Sequence, residues 1–467
     1  MVSPTQGRRW RARHAVCLFL GGWLASLPGC KTFVDSTLQT RTALDARSLD
    51  DALSAANAAL GVRQANQTPS PLRDDDALLL LDRGMVLQAL AEYQASSRDF
   101  ETADKALEIL DFSRSTADEI NRYLFSDSAG PYKARPYEKL MLNSLNMINY
   151  LVSHDLEGAK VEARRFTVMR DYLRGEEGGG RQSLGEAGVV GSYLAGYTFE
   201  KANDPGEALR YYDEALQSRA FPSLAEPVSR LMRLTKYRTP QLESSAATMA
   251  SPKPSSREGS EGELIILVNH GRVPSMVAKR VPIGIALTVG AVFLPPGAEQ
   301  QARRLAGQGL VTWVNYPELG PAPPSYADPL VLVDGAERPI EVVADVDALV
   351  REAWNESRGR VMAAAVTRMI ARAAIGAGVG VATGKATDRS GLGVLAALIT
   401  QGGMLAADKP DTRSWATLPA RMSLVRTRLS TGSHHIEVTV SGSLYVSEVT
   451  IAPAEWTVLN ITDLSTG

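Results

Sequence analysis

The run Gly376-Ala377-Gly378-Val379-Gly380-Val381-Ala382-Thr383-Gly384-Lys385 comes nearer than any other part of this chain to a phosphate-binding loop. Glycines let backbone N–H groups approach phosphate oxygens, and a lysine supplies the countercharge. The frame fails at two positions: Val379 stands where the first glycine belongs, and Ala386 where Ser or Thr would hold magnesium. A GxGxxG frame fails too, because its third glycine falls on Val381 or Thr383. Close helix packing explains the run better, since Ala374, Gly378 and Ala382 recur every four residues. Nucleotide binding is not expected, and no cofactor is assigned. The histidines, His14, His154, His270, His434 and His435, lack HExxH spacing, and with Cys17 inside the N-terminal apolar stretch only Cys30 remains, too few for a Cys/His zinc set, so no metal is assigned either. His434-His435 suits a hairpin turn. The chain has no GxSxG elbow. Glu176-Glu177 and Asp74-Asp75-Asp76 offer carboxylates of the kind glycosidases use, but they fit exposed helix ends, where acids complement the macrodipole. No catalytic residue is assigned.

The first thirty residues carry the parts of an export signal in order. Arg8, Arg9, Arg11 and Arg13 form a basic region, and residues 15–27 an apolar stretch too short to span a bilayer. Leu27-Pro28-Gly29-Cys30 then resembles the lipobox of bacterial lipoproteins. That resemblance implies diacylglycerol on Cys30, cleavage after Gly29 and acylation of the new amino terminus. An ordinary cleaved signal with an incidental cysteine is the alternative. Cysteine usage weighs against it: Cys17 leaves with the signal, and a single retained thiol is a liability in an oxidising compartment unless lipid consumes it. Two or three acyl chains also suffice for stable anchoring. Lys31, not aspartate, follows Cys30, which by the same resemblance favours the bacterial outer membrane, with the protein facing the periplasm.

With 467 residues, two or more domains are expected. A net charge of −2 with no basic tract gives no sign of nucleic-acid binding. Residues 30–48 are taken as anchor and tether. Residues 49–238 show helix after helix with apolar residues at i, i+3, i+4 and i+7. Residues 239–262, rich in Ser, Pro and Ala, read as a disordered linker between two bodies, each with its own core. In 263–467, strands are expected near 264–268, 283–293, 311–316 and 330–333, and helix from a cap at Asp345. A Gly/Ala-rich helical hairpin is expected over about 345–407. Alternation returns at the end, with Ile436, Val438 and Val440 on one face and Trp456 and Val458 on another.

Within the helical region, Gly196, Phe199, Ala208, Tyr212 and Ala215 have the small and large spacing of a tetratricopeptide (TPR) repeat, which the segment 193–215 resembles. Gly196 and Ala208 would let two helices approach, with Phe199 and Tyr212 beside them. Weaker copies run through 87–110 and around Asn149-Tyr150. A plain helical bundle is the alternative; either way, stacked helix pairs are expected to leave an extended concave surface. The words Arg135-Pro136-Tyr137-Glu138-Lys139, residues 155–165, Gly262-Glu263-Leu264 with Asn269, Gly271 and Pro274, and Asp411-Thr412-Arg413-Ser414-Trp415 before Thr417-Leu418-Pro419 resemble a family of uncharacterised bacterial lipoproteins with tetratricopeptide-like repeats. The resemblance implies an envelope role and no reaction.

The expected fold is thus a multidomain mixed protein, a TPR-like α-solenoid followed by an α+β domain with a small antiparallel sheet. The expected function is a lipid-anchored envelope scaffold or assembly factor that binds other envelope proteins. An envelope enzyme acting on peptidoglycan or surface polysaccharide is the alternative.

Overall fold

The computed structural model describes residues 33–73, 75–112, 132–175, 181–248, 260–309, 312–321, 326–384 and 410–466. The chain is helical in its N-terminal part, and small, mainly antiparallel sheets follow, which makes it a mixed α+β protein.

Eight helices come as four pairs: α1 (Phe33–Asp45) with α2 (Leu49–Leu60), α3 (Asp76–Ala89) with α4 (Tyr93–Phe112), α5 (Pro136–Val152) with α6 (Leu156–Gly175), and α7 (Arg181–Lys201) with α8 (Pro205–Ser218). Each pair turns in the same way. One residue goes left-handed: Arg47, Ala91, His154 and Asn203 have φ of 56°, 60°, 55° and 57°. The following N–H reaches back five residues, Ser48 to Ala43, Glu92 to Leu87, Asp155 to Tyr150 and Asp204 to Phe199, satisfying a carbonyl the helix end would orphan. The second helix then starts on that same residue's carbonyl. Glycines admit large side chains from the partner helix, and a β-carbon on Gly84 would stand 2.5 Å from the Phe100 ring.

The first helices of the later pairs are buried all round, α3 from Asp76 to Gln88, α5 from Tyr137 to Asn149, and α7 from residue 187 to 200. All-round burial marks helices covered on both sides. Their outer cover is the amphipathic second helices. Their inner cover is a sheet in the order β10 (Trp456–Asp463), β1 (Glu261–His270), β7 (Arg421–Ser430), β6 (Glu341–Asp345), in which only β10 and β1 run parallel. Strand alternation divides β1 between two cores. Ile265 and Leu267 join Leu80, Leu145 and Tyr197 of the helices. Leu264, Ile266 and Val268 face a second sheet, β5 (Ala336–Arg338), β4 (Leu330–Val333), β8 (Gly432–Val440), β9 (Ser443–Ile451), and meet Ile436, Val438 and Val440 there. A third core joins the ribbon β2 (Met276–Pro282) and β3 (Trp313–Leu319) to α11 (Ile283–Gly290), α12 (Ala298–Gly307) and the long helix α13 (Val346–Gly384). Two short helices, α9 (Ala225–Met232) and α10 (Pro240–Ala247), precede the sheet.

Several expectations change. The helical region and the first sheet share a core, because the inner helices bury their apolar surface on that sheet, while the strand-bearing region keeps two further cores of its own. That same contact covers the face expected to stay open as a concave surface. Residues 33–45, expected in the tether, form α1, whose Phe33, Thr37, Thr40 and Leu44 are buried at helical spacing. The linker span 239–262 opens with α10: Thr239 caps it by accepting from Leu242 N–H, Pro240 starts it and Leu242 is buried; β1 begins by Glu261. Residues 283–293, expected as strand, are α11 and a helical turn. Ala286, Leu287 and Gly290 are buried at a spacing that a short apolar run hides. His434 and His435 lie within β8 and not in a turn. The first arm of the 345–407 hairpin is α13, with Asp345 accepting from Ala348 N–H, while the second arm lies outside the described residues.

Candidate functional site

The residues expected to pack the repeat are brought together. Ala208, Ala215 and Tyr212 are fully buried, Phe199 nearly so, and the Tyr212 ring occupies the space over Gly196. Phe199 stacks on Tyr211, with ring centroids 5.4 Å apart. The Tyr212 hydroxyl goes further and donates to Glu200 at 2.6 Å, at the junction with the sheet. Cys30 lies outside the described residues, as do Glu176-Glu177 and Lys385.

At that junction, Arg426 of β7 donates from Nη2 to both Glu200 oxygens, at 2.8 and 2.9 Å, and from Nε to Glu263 of β1. Lys201 pairs with both carboxylates, and Arg230 reaches Glu200 at 2.6 Å. Burial works against charge on Glu200, but Arg426, Lys201 and Arg230 outweigh it and hold its carboxyl well below the usual range.

A second junction is built by the segment 411–418, which enters the helical pairs with its polar groups matched one by one. Arg413 donates to Asp75 at 2.9 Å and to Asp411 at 2.9 and 2.7 Å. The Trp415 N–H donates to Glu138 at 3.1 Å, and its ring meets Phe100 edge-on at 5.9 Å. Thr417 donates from its hydroxyl (2.7 Å) and its N–H (3.2 Å) to Asp82. Burial pushes the Asp82 carboxyl up to about 7, against Thr417, Arg41 and Arg272. Glu138 also caps α5 by accepting from Arg135 N–H at 2.7 Å, and Arg135 donates to the Arg413 carbonyl at 3.4 Å. The words 135–139 and 411–419, far apart in sequence, therefore meet in space. Residues 269–271 reach the same segment, since Val273 N–H bonds the Leu418 carbonyl and Ala420 N–H the Gly271 carbonyl. Of the acids near residue 75, Asp75 and Asp76 do stand at the start of α3, but Asp76 is buried against Arg73 and Asp75 serves Arg413, while Asp74 lies outside the described residues.

Beside this junction a cleft of about 430 Å³ opens between the start of α5, β3 and the middle of α13. Tyr132, Pro136, Tyr137, Met276, Pro317 and Trp354 give it apolar walls. Its charged lining is mostly cationic: Lys133, Arg135, Arg360 and Arg413 against Glu356 and Asp411. Asp411 is committed to Arg413, whereas among the described residues Lys133 and Arg360 form no ion pair. Trp354 is fixed by donating from Nε1 to Glu318 at 3.2 Å. The chemistry of this lining complements an apolar or aromatic group next to an acidic one. A second groove of about 600 Å³ lies between α8, α9 and α10, with Glu226 as its one charged lining residue among the described residues. Sequence reading missed Trp354 and Arg360 because they are ordinary members of a long amphipathic helix; only the fold aims them at the Pro136-Tyr137 corner.

His270, at the end of β1, is 1% exposed, and neither ring nitrogen has a partner among the described residues. Burial, then Arg421, lowers its pKa to about 4, so the ring is neutral. Among the described residues no His, Cys, Asp and Glu group is arranged to hold a metal, and no helix is long and apolar enough to cross a membrane. No family model matches the chain, and no curated protein matches it.

Proposed function

We propose that the chain is a lipid-anchored scaffold of the bacterial envelope, cut before Cys30, held to the outer membrane by lipid on that residue, and built to grip a segment of another envelope protein. Its helix pairs are read as degenerate tetratricopeptide repeats that have turned inward. Their first helices are committed to the chain's own sheet, so the partner is held at the cleft and not along the repeat face. The observation that carries this reading is the cleft itself, with fixed aromatic walls, two uncommitted cations and rigid support from Arg413, Glu138 and Asp82 beneath. A pre-formed pocket of that chemistry suits a turn or extended segment carrying a large apolar residue beside Asp, Glu or a terminal carboxylate. The lipobox resemblance and the meeting of the words 135–139 with 411–419 support the same placement in the lipoprotein family. A polysaccharide hydrolase would need two free carboxylates facing one another, and Asp411 is already tied to Arg413.

The test pairs two measurements on intact cells. Labelling with a palmitate analogue should mark the wild-type chain and miss Cys30→Ser. Affinity purification from solubilised membranes should recover a partner with wild type and lose it with Ala364→Trp, which fills the cleft. Equal recovery from both would remove the cleft from the proposal, and label on Cys30→Ser would remove the anchor.

A further inference from the structure

We infer that the module formed by residues 277–309 with Thr312 and Trp313 is a second membrane contact, which lays an apolar stripe of a basic module on a bilayer surface rich in anionic headgroups. This surface is separate from the partner cleft, and it needs the lipid on Cys30 only to bring a membrane near.

Exposed large apolar side chains concentrate here. Val292 is 90% exposed, Ile285 53%, Phe293 48% and Trp313 45%. They form one surface because α11 is pinned from behind. Ala286, Leu287 and Gly290 face inward, and a β-carbon on Gly290 would lie 3.0 Å from the backbone of Ala363 in α13. Ile285, Thr288 and Val292 are left outward at helical spacing. Phe293 packs one edge on Gly359 of the same helix and leaves the rest open. Trp313 borders the stripe, because Pro282 pairs with it across the ribbon and Ile283 N–H bonds the Thr312 carbonyl at 3.0 Å.

The module that carries the stripe is charged mostly one way, with Arg280 beside the stripe itself. Across 276–313 the cations are Lys279, Arg280, Arg303 and Arg304 and the one acid is Glu299, in a chain whose net charge is −2. Glu299 is taken by Arg303, and the Arg280 guanidinium lies 5.9 Å from the Trp313 ring centroid. Among the described residues Lys279 and Arg304 form no ion pair. Aliphatic and aromatic groups that enter the headgroup boundary, with Trp at the level of the heads and Lys or Arg beside them, are what a membrane surface selects.

The experiment uses the unlipidated chain from Lys31 onward, which keeps every described residue, and vesicles of phosphatidylcholine with or without about 30% phosphatidylglycerol. The chain should float with the anionic vesicles, bind neutral ones at least about tenfold less, and lose anionic binding by about tenfold or more in Lys279→Gln/Arg280→Gln. Brominated lipid should quench Trp313, because the other described tryptophans are buried or half-buried. Ile285→Ser/Val292→Ser should abolish binding while circular dichroism and melting temperature stay unchanged, as both side chains are mainly exposed. Equal binding to both vesicle types, binding that survives Ile285→Ser/Val292→Ser, or self-association through this face without vesicle binding would each overturn the inference. Palmitate labelling of Cys30 is read separately, so loss of vesicle binding with labelling intact rejects this module alone.

Discussion

Replacing Arg426 by methionine should show how the two regions are held as one body. The guanidinium is almost wholly buried between α7 and the sheet, donates twice to Glu200 and once to Glu263, and adds a 3.0 Å bond to the Tyr212 hydroxyl. Methionine fills much of the volume but leaves two buried carboxylates short of a cation. Breaking a buried pair from one side costs roughly 3–5 kcal/mol. Glu200 keeps Arg230 and Lys201, and Glu263 keeps Lys201, which argues for the lower end, about 3 kcal/mol. For a chain of this size the unfolding entropy is roughly 0.9 kcal/mol per kelvin, so the midpoint should fall by about 3 °C in calorimetry. The pH dependence should also change. In the wild type the Glu200 carboxyl is held below its ordinary value, so its contribution is complete above the unfolded pKa and is lost as pH falls through the folded one. Without Arg426, protonation relieves two crowded carboxylates, and the deficit should shrink between about pH 7 and pH 5. An unchanged midpoint, or a deficit that grows on acidification, would show that Arg426 does not hold the junction by charge.

Three further outcomes follow from the packing. Gly196→Ala should lower stability by about 1–3 kcal/mol despite the better helix propensity of alanine, because its methyl meets the Tyr212 ring; chemical denaturation reads this directly, and a stabilised variant would show that the helices separate easily. Asp82→Asn should flatten the pH profile of stability. Its carboxyl titrates near 7 when folded and near 3.8 when unfolded, so the folded state binds the extra proton and the wild type loses up to about 4 kcal/mol as pH rises through that window. Urea melts at about pH 4, 6 and 8 should show the wild type losing more stability than Asp82→Asn, and parallel profiles would mean that Asp82 does not titrate there. Cutting at a protease site inserted within residues 249–259 should leave two fragments that co-elute under native conditions and part only in denaturant, since the helices and the first sheet share a core; fragments that separate freely would restore two independent bodies.

What could be read from sequence was local. Gly196, Ala208 and Tyr212 lie within one helix pair, so their spacing alone reports the packing. Ile436, Val438 and Val440 alternate in one strand, and their shared face follows from the pleat. The α1 helix was lost because its buried face uses Thr37 and Thr40 where a strong apolar residue would have been noticed. Long-range matches left no comparable trace. Asp82 follows four leucines and looks like the polar edge of a helix; its partner Thr417 is 335 residues away. Glu138 looks like an N-terminal capping acid, which it is, but its second oxygen serves Trp415, and that pairing depends on the sheet covering the inner helices. The cleft was illegible for the same reason, because its walls come from residues near 132–137, 276, 317, 353–364 and 411–413, which meet only after the shared core forms.

Whether the cleft holds another envelope protein can be decided by placing a photoreactive benzoylphenylalanine at Ser357 in the cleft and, as a control, at the exposed Val168 on α6, then irradiating living cells. One discrete adduct is expected from position 357, absent from position 168, lost when Arg360→Glu is added, and containing a second envelope protein by mass spectrometry. No adduct from position 357, or the same adduct from both positions, would contradict the proposed scaffold role.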